Sequence, residues 1–265
     1  MVIFRVATDN MTATIPASVS GFVRMHKVET DSTNVWAQQL ISAGQAIDKL
    51  LLTTDFQTKG KGLDSNSWQS KPGENLLFSL VVKPVNCEPT GQFVITQAVS
   101  LGILHAIAAF LPEADLKIKW PNDIYVGNQK LCGMLIANAI IGQTMAWTTI
   151  GIGLNVNQLH FEAHLPNPIS MAAFSGKQFD REKVLQSIVN EIDSRLQQAW
   201  QPPMRALLGK HYLSGLYRYM EWSSYRYGEK QITARIVGLA PFGQLRLETT
   251  ENELLVCDLK EITFL

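Results

Sequence analysis

The sequence predicts an α+β chain, in which a mixed β-sheet with flanking helices is followed by a small all-β unit at the C-terminus. Three observations lead there. Apolar runs bounded by turn residues, such as "LLTTDFQ" and "ENLLFSLVVKP", read as buried strands. Other segments carry apolar residues at helical spacing. The last stretch, "KQITARIVGLAPFGQLRLETTENELLVCDLKEITFL", consists of short alternating runs with turn signals at "PFGQ" and "TENE". The larger unit is expected to cover residues 1–215 and the smaller one 216–265.

In chain order, residues 1 to about 20 follow no clear pattern. They read as an irregular extension or a first strand, with Met11 as a second start position. A strand then runs to about Val28. Asp31, Ser32 and Thr33 are N-cap candidates for a helix that Gly44 stops. "LLTTDFQ" and "ENLLFSLVVKP" supply two strands, the second ended by Pro84. Gln92 to Phe110 is a long apolar helix closed by Pro112. "DLKIKW" alternates apolar and basic residues and reads as a strand. The stretch from Pro121 to Asn157 reads as strands with tight turns at "VGNQ" and "IIGQT". Val184, Leu185, Ile188, Ile192 and Leu196 mark one face of a helix from Arg181 to Trp200, and Pro202 and Pro203 end it. A short helix is expected at residues 204–213.

Composition narrows the function. The 265 residues include 23 Lys+Arg and 23 Asp+Glu, so the formal net charge is zero. Binding to nucleic acid through bulk electrostatics normally needs a basic surplus, so no DNA partner is expected. Three separated cysteines, Cys87, Cys132 and Cys257, form neither a disulfide framework nor a Cys-x-x-Cys pair. The N-terminus has no basic start followed by an apolar run, and no stretch has 18 uninterrupted apolar residues. The expectation is a cytoplasmic protein with no membrane span.

Several short motifs invite chemistry. "HFEAH" places two histidines four apart, but the metalloprotease order is His-Glu-x-x-His, and "LPNPIS" breaks any helix at once. A polar surface loop explains it better. "IGIGLN" has a Gly-x-Gly without the third glycine of a dinucleotide fingerprint. Its glycines suit a close backbone approach to a ligand, with Asn155 pointing into a site. "DFQTKGKG" packs two lysines and two glycines into four positions, a pattern shared by anion-holding loops and flexible turns. "KWPND" brings a cation, an aromatic ring and a carboxylate to one turn at a strand end.

In order, "DSTN", "DFQTKGKG" followed by Trp68, "KWPND", "QKLCGML" and "GIGLNVN" span residues 31–157. With the β-rich tail, this arrangement resembles the biotin protein ligases, across roughly residues 24–265. It is similar to the monofunctional type, because only some 25 residues precede the first motif and leave no room for an N-terminal DNA-binding domain. The resemblance implies a catalytic domain like those of class II synthetases and biotin/lipoate ligases, plus an SH3-like β-barrel.

It also implies a reaction. Biotin and MgATP would give biotinyl-5′-adenylate and pyrophosphate, and a lysine of a biotin carboxyl carrier domain would then attack the mixed anhydride. Ser32, Thr33, Asn34, Gln57, Gly60, Lys61 and Gly133 are implied to bind biotin. Gly62, Trp68, Lys119, Asn122 and Asn155 are implied to bind ATP or adenylate. Lys130 and Lys61 are the implied catalytic residues, with Asp123 and Asn155 holding Mg²⁺. Hydroxyls and an amide suit a neutral urea, and a lysine suits a carboxylate meeting a phosphate. Relatives of this kind occur as monomers or homodimers.

Three positions depart from the family pattern. Leu63 and Asp64 stand where the Gly-rich loop is usually polar or cationic, and Ala137 stands where a glutamate is usual. Lys59 is an extra cation just upstream that offers partial compensation. Two alternatives therefore stay open: a catalytically weakened homologue that binds biotin or nucleotide, and a lipoate-type acyl ligase.

Overall fold

The computed structural model describes residues 18–63, 66–142 and 144–265. The expected irregular extension lies mostly outside them. Its last residues form β1 (Ser18–Val19), paired with β2 (Phe22–Thr30). Then come α1 (Thr33–Ser42), β3 (Leu50–Gln57), β4 (Leu76–Val82) and α2 (Phe93–Phe110). Four more strands follow: β5 (Leu116–Lys119), β6 (Asp123–Val126), β7 (Gln129–Ile141) and β8 (Thr144–Leu154). These eight strands make one sheet in the order β1-β2-β3-β4-β8-β7-β6-β5. Only β2 and β3 run parallel, with α1 as their crossover; the other neighbours are antiparallel.

Side-chain alternation divides the sheet into two faces. Leu51, Phe78, Leu80, Ile150, Ile152 and Met134 point to one, where they join Ile95 and Ile103 of α2 in a single core. A second helix there, α4, extends over Arg181–Ala199 after the short α3 (Met171–Ser175). It packs so close to α2 that a Cβ on Gly102 would lie 2.8 Å from Ile192 Cα. Glycine at that crossing is a steric requirement. α2 is long and apolar enough to cross a membrane, yet here it is the central core helix. On the other face α1 packs on the sheet through Trp36 and Ala37 on Leu50, Leu52 and Val81. The rest of that face is left for a cavity.

Pro202 and Pro203 do more than end α4. They open α5 (Pro202–Ser214), where the missing N–H of a proline in the first turn costs nothing. The chain then forms β9 (Ser223–Tyr227), β10 (Lys230–Leu239), β11 (Leu245–Thr249), β12 (Leu254–Cys257) and β13 (Ile262–Phe264). They pair antiparallel in the order β12-β11-β10-β9-β13, the small SH3-like unit expected from the tail. Its Tyr225, Ile236 and Leu247 belong to the same contiguous core as α2 and α4. The turn between β10 and β11 is bolted to the main unit, where Trp120 Nε1 donates to Gly243 O at 2.8 Å.

Candidate active site

The uncovered part of the sheet holds a cavity of about 360 Å³. Its floor comes from alternate residues of β7 and β8, Gly133 and Leu135 beside Gly151 and Gly153. The start of α1 and the Gly-rich loop form one side. The β5–β6 turn and the end of the C-terminal unit form the other. The floor glycines are needed for space. A Cβ on Gly151 would stand 2.3 Å from Asn34 Oδ1, and one on Gly153 would stand 2.4 Å from Trp68 Cε2.

One end of the cavity is neutral and polar. Ser32 sits at the N-cap of α1, but its side chain makes no capping bond. The free N–H of Thr33 is taken instead by Gln57 Oε1 from the end of β3, at 2.8 Å. Gln57 Oε1 also accepts from Thr33 Oγ1 at 3.2 Å. A strand side chain thus caps the helix, and the buried Ser32 hydroxyl remains available to the cavity. Asn34 lines the same end with both polar atoms engaged inside the protein. Its Nδ2 donates to Leu135 O at 3.0 Å, and its Oδ1 lies 2.7 Å from Ser79 Oγ.

The other end is cationic. Lys130 owes its direction to a bulge where β6 pairs with β7. Leu131 and Cys132 both face the core, so Lys130 and Gly133, an odd number of residues apart, share the cavity face. Lys130 Nζ lies 2.8 Å from Asp123 Oδ2. Burial raises the Asp123 carboxyl pKa above its ordinary value, and the charges of Lys130 and then Lys119 oppose that rise. Lys119 Nζ donates to Tyr125 Oη at 3.1 Å and lies over the rings of Tyr125 and Phe264 at 4.8 and 5.2 Å. Burial lowers its pKa, Asp123 opposes this, and Lys130 adds to it. Asn122 Nδ2 donates to Met134 O at 2.5 Å, which fixes the β5–β6 turn after the cis Trp120–Pro121 bond.

The Gly-rich loop closes on itself. Gly62 N donates to Asn66 O at 2.7 Å, and Trp68 N donates to Gly60 O at 2.9 Å. A Cβ on Gly60 would lie 2.4 Å from Trp68 O, so Gly60 keeps the loop closed but does not line the cavity. Lys61, Gly62 and Leu63 do line it. Trp68 lies across Gly133 and Gly153, with Lys130 Nζ 5.8 Å from its ring. Asp64 falls outside the described residues.

Ser32, Thr33, Asn34, Gln57, Lys61, Gly62, Trp68, Lys119, Asn122, Asp123, Lys130 and Gly133 therefore meet in one cavity. Besides Gly60, expected against biotin but absent from the lining, two expectations need correcting. Asn155 is not among the lining residues. Its Nδ2 donates to Ile169 O at 3.0 Å, and its buried Oδ1 has no partner among the described residues. Asp123 and Asn155 consequently do not fit a shared metal site, and among the described residues no three His, Cys, Asp or Glu cluster to form one. Lys59 turns away to Asp31, with Nζ 3.2 Å from Oδ2, so its charge is not directed into the cavity. Sequence reasoning missed Ser79 and the wall of Leu259, Ile262, Thr263 and Phe264.

In sequence and in fold the chain is similar to known biotin protein ligases. Residues 27–155 match the model of the biotin/lipoate A/B protein ligase family. The biotin–[acetyl-CoA-carboxylase] ligase of Mycobacterium tuberculosis is 27% identical over 170 residues, covering 63% of this chain and 62% of that protein. The bifunctional ligase/repressor BirA of Bacillus spizizenii is 32% identical over 162 residues, covering 60% of this chain and 49% of that protein. The aligned part thus spans about half to three-fifths of these relatives. The Aquifex aeolicus biotin protein ligase, solved in complex with biotin and ATP, superposes with a TM-score of 0.72 at 24% identity. That superposition covers 91% of this chain and 97% of the Aquifex chain, and it establishes a common fold.

Proposed function

We propose, from the match of residues 27–155 to the biotin/lipoate A/B protein ligase family model, that this protein joins biotin to a lysine of a carrier domain at the expense of ATP. One observation carries the reading. A single cavity has a neutral end built from Ser32, Thr33 and Gln57, and a cationic end built from Lys130 and Lys119, with Lys61 also in its lining. A cyclic urea on a carboxylate-terminated tail matches the first end with its ring and the second with its acid.

Lys130 is the candidate catalytic residue. In the first step a biotin carboxylate oxygen attacks the α-phosphate and pyrophosphate leaves. The Lys130 ammonium offsets the charge of the two anionic groups brought together. It already holds one carboxylate, Asp123, so ligand anions replace or share an existing partner. In the second step an acceptor lysine amine attacks the acyl carbon and AMP departs. Fixed positioning and charge supply the acceleration, with no covalent enzyme intermediate. Mg²⁺ would enter with the nucleotide, held chiefly by its phosphates, and Asp123 is the cavity carboxylate nearest Lys130.

The test is biotin-dependent exchange of pyrophosphate into ATP, followed by transfer to a carrier domain. Exchange in the wild type and its loss in Lys130→Ala would support the reading. Exchange driven by lipoate but not by biotin would replace it with the lipoate-type alternative. Leu63→Arg addresses the loop departure. A charged hydrogen bond contributes about 1.5–3 kcal/mol, so the variant should hold the adenylate roughly 10- to 150-fold longer. Unchanged release would show that Leu63 is not the weak point.

A further inference from the structure

We infer that Ser79, in the middle of β4 and outside the cavity lining, is a positioning residue that sets which groups donate and which accept at the neutral end. The inference rests on the biotin-ligase reading and deepens it.

Ser79 is fully buried, and its Oγ lies 2.7 Å from both Thr33 Oγ1 and Asn34 Oδ1. Two backbone groups dictate how the neighbouring amides are turned. The N–H of Thr33 requires an acceptor, so Gln57 presents Oε1 to it. The carbonyl of Leu135 requires a donor, so Asn34 presents Nδ2 to it. Asn34 Oδ1 is left facing Ser79, and a carbonyl oxygen only accepts. The Ser79 hydroxyl proton is the donor on hand for it.

That commitment reaches Thr33. Its own proton is drawn into the protein, toward Gln57 Oε1 at 3.2 Å or the Ser79 oxygen at 2.7 Å. Thr33 therefore turns oxygen lone pairs to the cavity and acts as an acceptor. The Ser32 hydroxyl and Gln57 Nε2 lack partners among the described residues and act as donors. A urea needs both kinds of partner: the Ser32 hydroxyl and Gln57 Nε2 can donate to its carbonyl oxygen, and Thr33 Oγ1 can accept from one of its N–H groups. An apolar ring offers nothing to these groups and would leave them unpaired.

Without the Ser79 hydroxyl, Asn34 Oδ1 loses its donor and Thr33 is free to rotate its proton outward. The loss should be confined to the biotin end. A merely structural role would move every kinetic constant or only the melting temperature.

The experiment is pyrophosphate exchange with Ser79→Ala and Ser79→Cys, measuring KM for biotin and for ATP separately, with biotin affinity by calorimetry. Loss of one buried hydroxyl partner predicts that KM for biotin rises about tenfold in the alanine variant, less in the cysteine variant with its weak donor. KM for ATP should stay within about twofold of wild type, since that end makes no contact with Ser79. If the alanine variant fails to fold, the cysteine variant, of nearly the same size, carries the comparison alone. Equal changes in both KM values, or none in either, would overturn the inference while leaving an active wild type as a ligase. A wild type without biotin-dependent exchange would overturn the ligase reading, and this inference with it.

Discussion

Asn34 at the start of α1 and Gly151 in the middle of β8 approach so closely that any Cβ on Gly151 would stand 2.3 Å from Asn34 Oδ1. Asn34 cannot swing aside at low cost, because Ser79 and Leu135 O hold both ends of its amide. Gly151→Ala should therefore push α1 off the sheet. Overpacking of this kind costs about 1–3 kcal/mol. For a chain of this size each kcal/mol lowers Tm by roughly 2–4 °C. Thr33 moves with the helix, so biotin affinity should fall too. An alanine variant with wild-type Tm and affinity would mean that the contact relaxes freely.

Gly153→Ala should behave differently, although the bare geometry is almost the same. The Cβ would lie 2.4 Å from Trp68 Cε2. Trp68 is carried by the Gly-rich loop, where its N–H bonds back to Gly60 O within the loop and not to a helix. The indole can shift, so the cost in stability should stay below about 1 kcal/mol. The cavity changes shape instead, and pyrophosphate exchange should drop while Tm holds. A Tm loss as large as that of Gly151→Ala would show that the loop is as rigid as α1.

How much of this was legible in the sequence depended on the kind of signal. Motif residues were legible because their types are rare together. Thr33, Gln57, Asp123 and Lys130 were all expected at one site and do line one cavity. Asn155 failed because alternation from Gly151 and Gly153 projects it into the cavity, but β8 ends at Leu154 and the side chain turns to Ile169. Lys59 was read by charge alone, and local pairing with Asp31 won. Ser79 was nearly silent. Its one trace was a hydroxyl inside "LLFSLVV", a strand buried at every position, where an unpaired hydroxyl would be costly. Phe264 had no local signal, since it reaches the cavity only through the packing of the C-terminal unit.

Asp123 and Lys130 give a pH prediction with a definite sign. Burial raises the Asp123 pKa above its ordinary value of 3.8, so folding favours the neutral acid. That contribution is fully present below the ordinary value and is lost as pH rises through the raised folded value. Above it, the ionised carboxylate is a net cost despite Lys130. Asp123→Asn removes the titration, so its Tm relative to wild type should climb as pH increases from about 4 to about 8. Its exchange activity should fall throughout, because Lys130 loses the partner that orients it. A Tm difference that shrinks with rising pH would reverse the sign and show that the ion pair stabilises the fold.

The C-terminal unit should matter for the nucleotide and not for biotin. Phe264 on β13 faces Lys119 with its ring 5.2 Å from Nζ, at the cationic end and away from Ser32 and Gln57. The ring helps exclude water from Lys119, whose pKa burial lowers. Phe264→Leu keeps an apolar side chain against Tyr225 but removes the π face. A partly desolvated cation–π contact is worth about 0.5–2 kcal/mol, so KM for ATP should rise roughly 2- to 30-fold. KM for biotin should stay put, because its ring binds at the opposite end. Steady-state exchange kinetics with each substrate varied in turn reads this directly. A rise confined to biotin would mean that the tail is laid along the wall of the C-terminal unit, and would exchange the assignments of the two ends of the cavity.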